Sequence, residues 1–205
     1  MANLLPLFNN HGWVEAGCDE AGRGCLAGSV YAAAVIFPPD YENHDLNDSK
    51  KLSAKRRYAL REQVQHDALA WAVGVVTPEE IDKINILNAS ILAMQRALDQ
   101  LKLRPEFVII DGNRFKPYGK VPYSTVVKGD AKYLSIAGAS ILAKTYRDDY
   151  MKRLHEEYPY YGWDHNAGYP TKEHREGIRQ YGLTPYHRKT FNQLGDGQLE
   201  LFHDL

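Results

Sequence analysis

The sequence predicts an α/β fold: a mixed five-stranded sheet flanked by helices, with a helical extension at the carboxyl end. Three observations carry that prediction. Apolar runs of strand length occur five times, at residues 14–18, 28–37, 70–77, 107–110 and 124–127. Helix signals form a block between the third and fourth runs and return after the fifth. No repeat, low-complexity tract or Gly/Ser linker divides the 205 residues, so one domain spans 1–205, with sheet and helices at 13–158 and an extension and tail at 159–205.

Consecutive early strands favour antiparallel pairing, whereas later strands joined through helices favour parallel addition, hence a mixed sheet. The clearest helix start is Thr77-Pro78-Glu79-Glu80, where Thr77 caps, Pro78 occupies the first turn and Glu80 completes a capping box. Ile91, Met94, Leu98 and Leu101 then share a helical face until Arg104-Pro105 ends the run. A long helix is expected over 131–158, stopped by Pro159, and another from the cap Thr171 to Tyr181, closed by Gly182.

Composition bounds the class. Hydrophobic residues make up 44% and charged residues 25%, the balance of a globular chain rather than a disordered one. No segment reaches membrane-spanning length, and the apolar run in residues 1–10 is too short and lacks the basic residues of a signal peptide. Cys18 and Cys25 have neither zinc-site spacing nor disulfide density, so a reducing cytoplasm is expected. The net charge of −1 gives no global attraction for nucleic acid, and any such role needs a local patch. Lys50, Lys51, Lys55, Arg56, Arg57 and Arg61 supply one candidate, which by itself also reads as a solvated helix face.

The chemistry-bearing residues are acids at element ends. Asp111 closes the apolar run 107–110 and precedes Gly112-Asn113, at the carboxyl end of a strand where open α/β sheets build their sites, although a lone Asp there also serves as a turn former. Asp19 and Glu20 end the first strand ahead of Gly22-Arg23-Gly24. Adjacent strand residues face opposite ways, so both reach one site only if the strand bends or Glu20 offers its backbone carbonyl. Asp130 precedes the long helix, where a plain helix cap is the competing role. Together the oxygen donors, with no His/Cys set, suit a hard divalent ion, magnesium or manganese, and two such ions suit phosphodiester cleavage. Paired acids also cleave glycosidic bonds, but no aromatic sugar platform accompanies these.

Asp19-Glu20-Ala21-Gly22-Arg23-Gly24, Asn47-Asp48-Ser49-Lys50-Lys51-Leu52, Asp111-Gly112-Asn113 and Lys128-Gly129-Asp130-Ala131 closely resemble blocks of the ribonuclease HII family. Ala139 to Lys144, Gly168 to His174 and His187 to Phe191 resemble its remaining blocks, in order, so the resemblance covers residues 14–191. It implies a ribonuclease H-like fold and metal-binding acids at Asp19, Glu20, Asp111 and Asp130. It also implies that Gly22, Arg23 and Gly24, with Tyr169, read the junction between a ribonucleotide and the next deoxyribonucleotide, and that Lys50, Lys51, Arg188 and Lys189 contact phosphates. The implied reaction is cleavage 5′ to ribonucleotides in DNA duplexes and RNA/DNA hybrids, leaving 3′-hydroxyl and 5′-phosphate ends, by a monomer without membrane attachment.

Two positions depart from the family pattern: Cys25 replaces a usual proline and Gly138 a usual alanine. The sister ribonuclease HIII group carries an extra amino-terminal domain, and about a dozen residues precede the first strand here. The competing readings are a non-catalytic binding module, which would be expected to have lost an acid, and a nuclease of altered substrate, which Gly22 to Gly24 and Tyr169 argue against. In the tail, Gln198 to Phe202 invites comparison with sliding-clamp-binding peptides.

Overall fold

The computed structural model describes residues 4–8, 11–46 and 52–195. The strands are β1 (Glu15–Ala21), β2 (Val30–Ile36), β3 (Ala70–Val76), β4 (Phe107–Asp111) and β5 (Tyr123–Val126). They lie in the order β3-β2-β1-β4-β5, with β1/β2 and β2/β3 antiparallel and β1/β4 and β4/β5 parallel. The expected mixed sheet is therefore present. Because β1 and β4 are parallel neighbours, their carboxyl ends, with Asp19, Glu20 and Asp111, emerge at the same edge of the sheet.

The helices are α1 (Ala54–Asp67), α2 (Pro78–Ile84), α3 (Ile86–Asp99), α4 (Leu134–Glu157), α5 (Trp163–Asn166) and α6 (Lys172–Tyr181). Ala16 and Cys18 of β1 join Ala93, Met94 and Leu98 of α3 in one core, while Ala21, Ala33 and Val35 join Leu60, Val64 and Leu142 of α1 and α4 in the other. Strand alternation then sends Asp19 to the α4 face and Glu20 to the α3 face. At Gly17, on the same face as Asp19, a Cβ would lie 2.5 Å from the backbone of Ser135 and Ile136, so its absence lets α4 settle directly on β1.

Two helix boundaries and one cap differ from expectation. The capping box of Thr77 and Glu80 forms, but the helical block breaks at Asn85, whose φ of 65° ends α2 while its side chain accepts from Asn88 N at 3.1 Å to start α3. The long helix begins at Leu134 rather than 131, after a separate 3-10 turn, Gly129–Ala131. Asp130 lies within that turn and does not cap α4, whose N-cap residue Tyr133 makes no side-chain capping bond. Gly138 has a packing reason, since a Cβ there would press to 3.0 Å of the Phe37 ring, which stacks on Tyr41.

The carboxyl-terminal extension packs on α4 through Leu26, Met151, Leu154, Tyr161, Trp163 and Ile178. Thr171 caps α6 and Gly182 ends it at φ 77°, as the sequence predicts.

Candidate nuclease site

A cleft of about 680 Å³ opens at the carboxyl ends of β1 and β4. Asp19, Glu20 and Asp111 form its acidic wall, and Gly22 to Gly24, Lys144, Arg147 and Tyr169 stand around them. A smaller hollow on the α3 side is shared by Glu20, Arg23, Ser90 and Asp111, so Asp111 borders both faces of the sheet edge. Strand β1 keeps its register through Ala21↔Tyr31, so of the two alternatives the bend after Asp19 is absent and the two acids leave the strand on opposite faces.

Asp19 is 5% exposed, and its Oδ1 accepts from the Glu20 backbone N–H at 2.7 Å. Burial, reinforced by the charges of Glu20 and Asp111 and opposed by Lys144 and a Ser140 hydrogen bond, pushes its pKa up to about 8. Burial also raises Glu20, against the pull of Arg23, whose Nη1 donates to Oε1 at 3.1 Å. The other oxygen, Oε2, is buried and accepts no hydrogen bond. Asp111 Oδ1 accepts from Gly129 N at 2.7 Å, which ties the end of β4 to the 3-10 turn. Asp130, 4% exposed, is one residue beyond that bond and does not line the cleft. Among the described residues, no three His, Cys, Asp or Glu side chains converge into a preassembled metal cage.

The glycine loop is held from behind by two buried guanidinium groups. Arg147 Nε donates to Ser29 O at 3.0 Å, Nη1 to Ala167 O at 2.7 Å and Nη2 to Ala27 O at 3.1 Å. Arg188, 0% exposed, donates from Nη2 to Gly22 O at 2.6 Å and Gly28 O at 2.8 Å, and from Nη1 to Arg23 O at 2.9 Å. This corrects the phosphate-contact expectation for Arg188. Its guanidinium donates to the loop carbonyls of Gly22, Arg23 and Gly28, so it shapes the loop from within the protein and presents no charge to a ligand. Burial brings its pKa down to about 10. Lys189 is exposed, its backbone N–H donating to Asp82 Oδ2 at 2.8 Å. Lys50 and Lys51 lie outside the described residues.

Among the described residues, three of the four cations of the neighbouring basic run pair with acids. Arg56 pairs with Asp45 at 2.5 Å, Arg57 with Asp148 at 3.6 Å and Arg61 with Asp149 at 2.5 Å, and only Arg57 of these reaches the cleft. Tyr169 brings its half-exposed ring beside Gly24, whose added Cβ would sit 3.8 Å from Cε1. Its side chain is hydrogen-bonded to that of Cys25, which is fully buried, so the thiol replacing the family's proline is shielded from solvent.

Sequence reasoning assigned no role to Ser140 or Arg147 and placed Lys144 only on a helix side. Lys144 Nζ donates to Ser140 Oγ at 2.7 Å, and Ser140 in turn bonds Asp19. The signal was available: positions 140, 144 and 147 lie on one face of α4, the face that a strand-end acid would meet.

The ribonuclease HII family model matches residues 16–194. The chain is 71% identical to ribonuclease HII of Bacteroides fragilis (strain YCH46) over 199 residues, 97% of this chain and 98% of that one. It is 58% identical to ribonuclease HII of Porphyromonas gingivalis over 193 residues, 94% of this chain and 96% of that one. Among solved structures, ribonuclease H2 of Pyrococcus horikoshii OT3 superposes with a TM-score of 0.74 at 27% identity, over 88% of this chain and 94% of that one. The ribonuclease HII of Archaeoglobus fulgidus, solved as a complex with PCNA, gives the same score and identity over 87% and 95%. By family model, by identity over nearly the whole length and by fold, the chain belongs to the ribonuclease HII family and is a ribonuclease H hydrolase.

Proposed function

We propose that this enzyme hydrolyses the phosphodiester 5′ to ribonucleotides embedded in DNA duplexes and within RNA/DNA hybrids, leaving 3′-hydroxyl and 5′-phosphate ends and serving ribonucleotide removal from DNA. The observation that carries the reading is the under-compensated acid set: Asp19 buried, Glu20 Oε2 buried without a hydrogen bond, and Asp111 at the end of the adjacent parallel strand. An all-oxygen donor set of this kind fits magnesium or manganese rather than zinc. Bound divalent ions supply a polarised water and charge stabilisation at the leaving oxygen.

Asp19 and Asp111 are the carboxylates proposed to hold the ions, with Asp130 behind Gly129 and Glu20 joining from the other face of β1. Lys144, beside Ser140 and Asp19, is a cation on the wall that a scissile phosphate would approach. Gly22, Arg23 and Gly24 are proposed to meet the 2′-hydroxyl, since a loop without side chains at 22 and 24 lets backbone groups approach a ribose closely. Tyr169 is proposed to stack on the following sugar and disfavour a second 2′-hydroxyl. Lys50, Lys51 and Lys189 remain the proposed phosphate contacts, which position the duplex without specifying sequence.

The test is cleavage of an end-labelled DNA duplex carrying one ribonucleotide, with magnesium or manganese, beside an all-DNA duplex and an RNA/DNA hybrid. One cut 5′ to the ribonucleotide and none in the all-DNA duplex is expected; binding without a cut would leave a non-catalytic module. Tyr169→Ala is expected to lower cleavage at the single ribonucleotide more than overall affinity. A clamp contact through residues 198–202, which lie outside the described residues, is a further partner proposed from the tail sequence and the Archaeoglobus complex. Loss of clamp binding on deleting that run would support it.

A further inference from the structure

Two histidines in the sequence blocks of the family, His174 and His187, have no part in the chemistry above, and both are buried, at 0% and 1% exposed. Their hydrogen bonds fix a single arrangement of protons. Trp163 Nε1, which can only donate, gives its hydrogen to His174 Nε2 at 3.0 Å. The Thr184 backbone N–H, likewise only a donor, gives to His187 Nδ1 at 2.9 Å. His187 must then carry its proton on Nε2, which faces His174 Nε2 at 3.2 Å and shares that nitrogen's single lone pair with the Trp163 donor. His174 must carry its own on Nδ1, which faces the Tyr169 carbonyl oxygen at 2.9 Å.

Both ends of the chain of donors demand the same tautomers, and both rings are neutral. Burial lowers each pKa, that of His187 to about 3. The relay ends on the backbone of Tyr169, whose ring stands beside Gly24. Tyr169 N donates to Asn166 O at 2.9 Å and its carbonyl accepts from Thr171 N at 2.8 Å, so the bond from His174 Nδ1 to that same carbonyl is a third backbone restraint and the one side-chain donor among them.

We infer that His174, oriented by Trp163 and His187, is a positioning residue that aims the Tyr169 ring at the substrate, and thereby sets the preference for single embedded ribonucleotides over continuous hybrid. The inference rests on the proposed junction-reading role of Tyr169. It implies that substrate choice is built partly from groups that never touch nucleic acid, as supporting hydrogen bonds orient the residues that do.

Two amide replacements separate the two ends of the imidazole. His174→Asn keeps a donor where Nδ1 stands, towards Tyr169 O, and gives up the acceptor for Trp163. His174→Gln keeps an acceptor where Nε2 stands and gives up the donor to Tyr169. The measurement is kcat and KM on a duplex with one ribonucleotide and on an RNA/DNA hybrid, with Tm for each variant and Tyr169→Ala in parallel. His174→Gln is expected to lower the single-ribonucleotide to hybrid ratio on the order of tenfold, mainly in kcat, and His174→Asn to stay within about twofold of wild type. A ratio unchanged in both variants, or lost in Asn and kept in Gln, overturns the inference while Tyr169→Ala still shifts the ratio. An unshifted ratio in Tyr169→Ala overturns the Tyr169 reading itself, and the positioning role with it. A purely structural histidine would lower Tm in both variants and leave the ratio alone.

Discussion

Arg147 occupies the space that a side chain at Gly22 would need: a Cβ built there would collide with the arginine Nε and lie 2.6 Å from Cδ. The φ of 93° at Gly22 adds a second reason, because that backbone region is costly for any residue with a Cβ. Gly22→Ala is therefore expected to push the loop off Arg147 and cut kcat/KM for a single-ribonucleotide duplex on the order of 10²-fold. Steady-state cleavage beside a circular-dichroism melt checks it; wild-type kinetics would mean the loop tolerates displacement.

Asp111→Asn keeps an oxygen able to accept from Gly129 N, the bond that holds the turn at 2.7 Å. The fold should survive and duplex binding should persist, while cleavage falls on the order of 10²–10³-fold through loss of a carboxylate towards the ions. Calorimetric titration of manganese into the variant should show weakened binding. Full activity would remove Asp111 from the mechanism.

Arg188 separates a structural from an electrostatic role cleanly. Arg188→Lys keeps the charge but cannot span Gly22 O, Arg23 O and Gly28 O together. A stability loss of about 2–4 kcal/mol is expected in urea melts, with the salt dependence of duplex binding unchanged. Arg188→Met removes the charge as well: a phosphate contact would then show normal stability and a salt slope reduced by about one, whereas the anchoring role leaves the slope unchanged.

The buried histidines predict a pH effect on stability. His187 titrates near 3 when folded against 6.5 when unfolded, so the unfolded chain takes up the proton first as pH falls. The contribution is complete above pH 6.5 and is lost from there down towards 3, amounting to about 2 kcal/mol between pH 7 and pH 5. Chemical melts across that range should show the decline, and His187→Asn should flatten it. An identical slope in the variant would assign the decline to other groups.

Much of the fold was legible because its signals are local. Strand-length apolar runs, the Thr77 capping box and the Thr171 to Gly182 helix all reappear at their expected places. The break at Asn85 was not legible, since a left-handed asparagine leaves no mark in hydrophobic period. The three cleft acids were legible as residues at strand ends, and the parallel pairing of β1 and β4 is what brings them together. Arg188 was misread for a physical reason: a basic residue in a family block looks like a phosphate contact until its burial is known, and burial is a tertiary property. Ser140 and Arg147 share a helix face that spacing already shows, but that this face meets the loop and β1 is a tertiary fact that spacing does not carry.

The bond from Arg188 to Gly22 spans 166 positions, and that separation imposes an order on the making of the enzyme. A ribosome delivers Gly22 early and Arg188 late, so every acid of the cleft leaves it while the loop still lacks its anchor. A growing chain, or one clipped ahead of Arg188, would own the sheet and the carboxylates and yet lack a seated loop beside them. The loop is seated only once Arg188 has been made.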